Sequence, residues 1–282
     1  MVTSSIIIKA PATKIWAALT EIQQMKEWYF DIPDFVLEVG KTFNFYESDK
    51  KEYHHRCVIK EIETNKKFSH TWTHPSHSKG ESIVTWHLQE ENNQTKVTLT
   101  HQGIENFADG GAAFAPENYK MGWDGFMSIL KNYINGLKKI KYTTTINASP
   151  EKVWNTLFND ETYRQWTSAF TEGSHYKGDL KQGGRIHFLS PSGGGLYSNV
   201  FFLVPNKNVM FQHIGEIKNF EEQAIDDEAE KWTGCFENYT LKQNGNEILL
   251  EVEIDMSPEN IEHMNDIFPK ALANVKAIAE KN

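Results

Sequence analysis

The 282-residue chain holds only two cysteines, Cys57 and Cys235. That is too few for a disulfide framework, and neither sits in a CxxC pair of the kind that marks redox or zinc sites. Free thiols in a reducing cytoplasm are the expectation. Long apolar runs are also missing: the N-terminal MVTSSIIIKAP has a short isoleucine run and no small-residue cleavage site, and no window approaches the ~20 apolar residues of a membrane span. Neither secretion nor a membrane span is expected. Basic residues are in deficit, 29 against 38 acidic for a net charge of −9. Such a surface repels phosphate backbones, so nucleic acid is not an expected partner. No GxSxG elbow, HExxH, Ser-His-Asp order or nucleotide fingerprint occurs. No motif argues for an enzyme, and no cofactor is expected.

What the chain does have is a repeat. Residues 13–28, TKIWAALTEIQQMKEW, and 151–166, EKVWNTLFNDETYRQW, align without a gap. They share Lys14/Lys152, Trp16/Trp154, Leu19/Leu157 and Trp28/Trp166, and pair Ile15 with Val153, Lys26 with Arg164 and Glu27 with Gln165. A duplicated domain must repeat its whole core, not one helix.

The order downstream does repeat. In the first half Ile6 to Lys9 reads as a strand, and Ile15, Trp16, Leu19 and Ile22 recur at helical spacing. Strands are predicted over 41–47, 57–63, 67–74, 82–89 and 96–101. Alternation gives each an apolar face, as with Phe43 and Phe45 or Val84, Trp86 and Leu88. From Pro116, the residues Tyr119, Trp123, Phe126, Leu130, Tyr133 and Leu137 step by three or four, the stripe of a long helix. The second half predicts a strand over 141–147, a helix from Pro150 through Leu157, and strands over 183–189, 197–204 and 208–213. A hairpin over 236–242 and 247–254 turns at Asn244-Gly245. Asn206-Lys207 answers Asn65-Lys66 at a turn. Ser257-Pro258 opens a final helical region, which Pro269 is expected to break into a turn and a longer helix. Two domains follow, 1–138 and 139–282, with no Pro- or Ser-rich tether between them.

A series of residues then carries a family resemblance. In the first half it runs Ala10-Pro11, Ile15-Trp16, Leu19, Trp28 and Gly122-Trp123 followed by Leu130. In the second it runs Ala148-Ser149-Pro150, Val153-Trp154, Leu157, Trp166, Gly183-Gly184, Pro205-Asn206-Lys207 and Glu237-Asn238-Tyr239. In this order and in duplicate, the chain resembles the START-like, or SRPBCC, superfamily. Within it the chain is similar to the branch of the activator of heat-shock protein 90 ATPase, C-terminal domain type. The resemblance implies an α+β fold: two tandem helix-grip (pollen-allergen-like) domains, each a curved antiparallel sheet wrapped around a long C-terminal helix. Two departures stand out. The second final helix has Phe268-Pro269 near the place of the Gly-Trp pair. No NxNNWHW-like segment, which the eukaryotic co-chaperones of this branch carry in a separate N-terminal domain, occurs in the sequence.

Helix-grip domains can enclose a hydrophobic cavity. The expected lining is Trp28, Phe43, Phe45, Trp72, Trp86, Trp123 and Phe126 in the first copy, and Trp166, Phe170, Phe188, Phe202, Phe211 and Tyr239 in the second. The plain alternative is that these aromatics fill two solid cores. Seven of the eleven histidines fall between residues 54 and 101, but no Cys, Asp or Glu stands beside them at a zinc spacing, and no metal is expected. SPSGGGLYSN, residues 190–199, lacks a phosphate-loop pattern and reads as a hairpin loop near a cavity mouth. Residues 216–230 carry seven carboxylates against one lysine and read as a solvated connection, a lid or a docking strip for a basic partner.

Three functions remain in view. The first is a non-enzymatic binding protein for small apolar or aromatic ligands. The second is a co-chaperone-like module that docks on a chaperone or other protein. The third is a polyketide cyclase or dehydratase-like enzyme, for which His70, His101 and Tyr239 are the candidate polar groups.

Overall fold

A computed structural model describes residues 1–47 and 50–281. It divides into two compact units, Met1–Ile134 and Asn135–Asn282. Both are α+β domains of the helix-grip type.

The first domain runs β1 (Val2–Ile8), α1 (Ala12–Thr20), α2 (Ile22–Trp28), β2 (Thr42–Tyr46), β3 (His54–Glu63), β4 (Lys67–Thr73), β5 (Glu81–Glu91), β6 (Gln94–Gln102) and α3 (Pro116–Ile134). Its six strands form one antiparallel sheet in the order β1-β6-β5-β4-β3-β2. Two-residue periodicity turns Val84, Trp86 and Leu88 of β5 inward, and the 3.6-residue period of α3 buries Trp123, Met127, Leu130 and Ile134 against them. Between β6 and α3 lie two 3-10 turns, Ile104–Gly110 and Ala112–Phe114, which the sequence pattern did not announce. Gly103 (φ 82°) and Gly111 (φ 84°) take the positive φ values that start each turn.

The second domain runs β7 (Lys138–Ile146), α4 (Pro150–Phe158), α5 (Asp160–Thr167), β8 (His175–Gly178), β9 (Arg185–Leu189), β10 (Gly195–Val204), β11 (Asn208–Lys218), β12 (Glu221–Glu222), β13 (Phe236–Asn244), β14 (Glu247–Met256) and α6 (Ile261–Ala279). The sheet order is β7-β14-β13-β11-β10-β9-β8, with the two-residue β12 on β11. Here the connection from the last strand to the last helix is short, Ser257 and one 3-10 turn over Pro258–Asn260.

The repeated residues do the same jobs in each domain. Lys14 Nζ donates to the carbonyl of Ile134 at the end of α3 (2.8 Å), and Lys152 Nζ donates to the carbonyl of Lys281 just past α6. Each cation satisfies an orphan carbonyl at the negative end of its helix. Trp28 Nε1 donates to the Ala18 carbonyl (2.9 Å), and Trp166 Nε1 to the Leu157 carbonyl (3.1 Å), so each indole closes the small helical pair that precedes it. The Asn65 and Asn206 turns share φ 63°, a left-handed conformation that asparagine tolerates better than most residues.

The expectation that Pro269 breaks the last helix is corrected. Helix α6 is continuous over Ile261–Ala279 with Pro269 inside it. A proline in a helix interior costs ~3 kcal/mol through a lost hydrogen bond and a clash. Two features offset that cost here. Pro269 and Asn265, the residue whose carbonyl loses its donor, are both exposed, and Phe268, Ala271, Leu272 and Val275 bury another face of the same helix.

Candidate functional site

The interior of the first domain is a continuous pile of aromatic rings. Trp28, Phe43, Phe45, Trp72, Trp86 and Trp123 are all buried, and Phe126 is half-buried against them. Trp72 meets Trp123 edge-on at 5.2 Å, and Trp86 meets Trp28 at 6.4 Å and Trp123 at 6.1 Å, the offset and T-shaped contacts that aromatic cores favour. Rings from outside the regular elements complete the pile. Phe107 and Phe114, on the two 3-10 turns, close over His74 at 4.9 and 4.7 Å, and Phe30 stacks on Phe45 at 4.6 Å. The void left beside Trp28, Phe43 and Trp86 measures about 20 Å³. That is room for one water molecule, not for a ligand. A larger groove of about 670 Å³ lies at the polar turn of Thr64 to Lys67 and the end of β5, outside the ring pile.

The histidines of this domain belong to the pile. His101 accepts from Trp123 Nε1 at Nδ1 (3.1 Å) and meets the Ser82 hydroxyl through Nε2 (2.6 Å). Trp72 Nε1 donates to His74 Nε2 (3.2 Å), which also lies 2.7 Å from the Tyr119 hydroxyl. Burial pushes His74 and His101 down to about 3, helped by the neighbouring imidazoles, and pushes His70 down to about 4 against a hydrogen bond to the Thr71 carbonyl that raises it. They are neutral, packed polar groups. His70 and His101, candidates for proton transfer on sequence grounds, are buried in the ring pile, with His70 beside the void of about 20 Å³. Among the described residues, no three His, Cys, Asp or Glu side chains converge on a metal site, and no helix is long and apolar enough to cross a membrane.

In the second domain the same elements surround an open pocket of about 660 Å³. Five of the six aromatics expected there line it: Trp166 and Phe170 from α5 and its exit, Phe188 from β9, Phe211 from β11 and Tyr239 from β13. Phe202 does not. A β-bulge between Val200 and Phe202 shifts the register, so Phe202 pairs with Met210 while Leu203 pairs with the buried Val209. The extra residue turns Phe202 to the face opposite Phe211. Phe158, Tyr163, Trp232, Met264 and Phe268 also line the pocket, and the glycine-rich segment contributes Ser190, Gly194 and Gly195. No 3-10 turn carrying phenylalanines closes this end. Ser257 and Asn260 of the short connection stand at the lining instead.

One polar cluster is set into the aromatic wall. Glu237 faces His213 Nε2 through Oε2 (3.2 Å) and accepts the Tyr239 hydroxyl at Oε1. His213 Nδ1 lies 2.8 Å from the hydroxyl of Ser198, which is fully buried behind it. Burial, and then the negative charge of Glu237, push the Tyr239 phenol well above its ordinary value, so it stays a neutral donor. Of the three, the sequence marks Tyr239 as a candidate polar group and Glu237 only within the family series, and it gives His213 no site role. Alternation held the signal: His213 follows Phe211 by two residues, Glu237 precedes Tyr239 by two, and Phe211 and Glu237 are paired directly across β11 and β13.

The acidic segment 216–230 is partly structural. Asp226 Oδ1 accepts the backbone N–H of Glu228 (3.1 Å) and Ala229 (2.8 Å), starting the turn that carries Trp232 to the pocket, and Glu228 pairs with Lys231 at 2.7 Å.

A curved antiparallel sheet gripping a long helix, made twice and left open once, defines a tandem helix-grip protein of the START-like class. The chain belongs to the family described as activator of Hsp90 ATPase homolog 1-like protein, whose model matches residues 9–135 and 147–266. Comparison with curated proteins gave no match. Among solved structures, the chain is similar to protein MLL2253 from Mesorhizobium loti, with 27% identity and a TM-score of 0.41 over 48% of this chain and 97% of that one. It is also similar to the Aha1 dimer from Colwellia psychrerythraea, with 23% identity and a TM-score of 0.40 over 50% and 96%. A third is the di-domain ARO/CYC StfQ of the steffimycin biosynthetic pathway, with 9% identity and a TM-score of 0.38 over 99% and 98%.

Proposed function

We propose that this protein binds one small, mostly apolar molecule, and does so in its second domain. The observation that carries this reading is the aromatic-walled pocket of about 660 Å³, set against a void of about 20 Å³ within the ring pile of the first domain, whose larger groove lies at a polar turn. The former is within the usual range of small-molecule sites, and the mixture of an apolar wall with a few convergent polar groups is what such sites have in common. Two buried cysteines outside any disulfide, Cys57 and Cys235, fit the cytoplasmic setting expected of the chain. Thermal-shift and native mass-spectrometric screening against aromatic metabolites and lipids tests the proposal. A ligand that raises the melting temperature of the wild type, and loses its effect when Cys235→Phe narrows the pocket, supports it. No response across the screen overturns it.

The cluster of His213, Glu237 and Tyr239 gives a second reading, a proton-transfer enzyme, its specific support. Binding is preferred because both imidazole nitrogens of His213 already face partners, which leaves neither open to a substrate proton. For the co-chaperone reading, the family match is the support. Its test is capture of an Hsp90-type chaperone by the wild type and loss of capture by Asp227→Asn, which spares the turn-forming Asp226.

A further inference from the structure

The charged groups of the second-domain pocket share one sign. Three of the described residues lining it are carboxylates, Glu216, Glu237 and Asp255, and none is Lys or Arg. Two of the three are engaged in ordinary structural contacts. Glu216 pairs with Lys218 at 2.7 Å, and Asp255 Oδ2 accepts the backbone N–H of Phe236 at 3.0 Å. Glu237 differs, because it stands in the aromatic wall itself.

Each oxygen of Glu237 is met by one donor, His213 Nε2 or the Tyr239 hydroxyl. An ionised carboxylate has about four lone-pair positions, so these two contacts fix its direction and leave capacity for a further donor. The Ser198 hydroxyl can donate to His213 Nδ1, so a neutral imidazole is enough to hold Glu237 from behind. A carboxylate in an apolar wall is desolvated at a cost, and a ligand that brings positive charge to it recovers part of that cost. The surrounding ring faces carry negative quadrupoles that attract cations in the same way. An anionic ligand meets repulsion from Glu237 and finds no lysine or arginine on the described wall.

The geometry points to an organic cation as the ligand: a polycyclic aromatic amine whose protonated nitrogen reaches Glu237 while its body lies among Trp166, Phe170, Phe211 and Phe268. This assignment rests on the reading of the second-domain pocket as a ligand site.

Three probes of one shape separate the possibilities: anthracenylmethylamine, anthracenylmethanol and anthracene carboxylate, titrated into the full chain and followed by calorimetry. The expected order is amine, then alcohol, then carboxylate, with the amine at least about tenfold tighter than the alcohol, the size of one charge-assisted hydrogen bond. Glu237→Gln, checked for an unchanged circular dichroism spectrum, is expected to erase that tenfold preference and leave alcohol binding within about threefold. Carboxylate binding equal to or tighter than amine binding overturns the assignment while leaving the pocket a ligand site, as does an amine preference that survives Glu237→Gln. If none of the three binds, the ligand-site reading itself fails, and this assignment fails with it. Should Glu237→Gln not fold, the wild-type order of the three probes decides alone.

Discussion

The two domains start from the same plan and end differently inside. Each lays aromatic-faced strands against a long helix, fixes that helix with the equivalent lysine and closes its small helical pair with the equivalent tryptophan. The first has a 13-residue run, 103–115, between its last strand and its last helix, and Phe107 and Phe114 on that run seal the end of the ring pile. The second crosses the same junction with Ser257 and a single 3-10 turn, and its interior stays open. The lesson is that aromatic strand faces alone do not decide between a core and a pocket. A connection that supplies two more rings does.

The sharpest way to break this contrast is to remove the seal. Phe107→Ala deletes a fully buried ring in a close-packed interior and is expected to cost the first domain about 3–5 kcal/mol, read by urea denaturation followed through tryptophan fluorescence. An opening without that loss would mean the seal is not what fills the domain. Next in size is a matched pair of enlargements at the two cysteines. Cys57→Phe forces a ring into the filled core and should cost about 1–3 kcal/mol. Cys235→Phe has open space to occupy, so its cost should be a small fraction of that, while ligand binding disappears. Equal costs would erase the distinction.

The third prediction concerns acid. Unfolded imidazoles take up protons below about pH 6.5, whereas His70 stays neutral in the fold down to about 4 and His74 and His101 down to about 3. The unfolded state therefore binds more protons throughout that window, and stability falls as pH falls. The first domain's denaturation midpoint should drop between about pH 7 and about pH 5, and the second domain's, with no such packed cluster, should drop less. The smallest effect sharpens the comparison at the helix starts. Ser149 accepts the Lys152 N–H and caps α4, where Pro11 gives α1 no side-chain cap. Ser149→Ala should cost the second domain about 1 kcal/mol by the same denaturation measurement.

Much of this was legible in the sequence because it is written in period. Alternation exposed the strands, the three-and-four spacing exposed α3, and the duplicated tryptophans exposed the two copies. What was not legible depends on partners distant along the chain. Pro269 argues locally for a break, and only burial of Phe268, Ala271 and Leu272 on the sheet keeps α6 whole. Phe202 shares parity with Val200, and only the bulge separates them. Glu237 looks like an exposed strand carboxylate until the pairing register sets it beside Phe211 and Tyr239. The open and filled interiors were least legible, because a void is a property of volumes summed over the whole domain and no local pattern records it.

The paired tryptophans have one more consequence, an optical one. Trp28 and Trp166 carry the same indole hydrogen bond to a helix-end carbonyl, so their emission should differ chiefly through what touches the ring. Trp28 is locked among neighbouring rings, while Trp166 and Trp232 border the pocket. An occupant of that pocket would quench or shift the light from the second pair and leave the first domain's glow as an internal reference. The duplication has thereby equipped the protein with its own ratiometric dye.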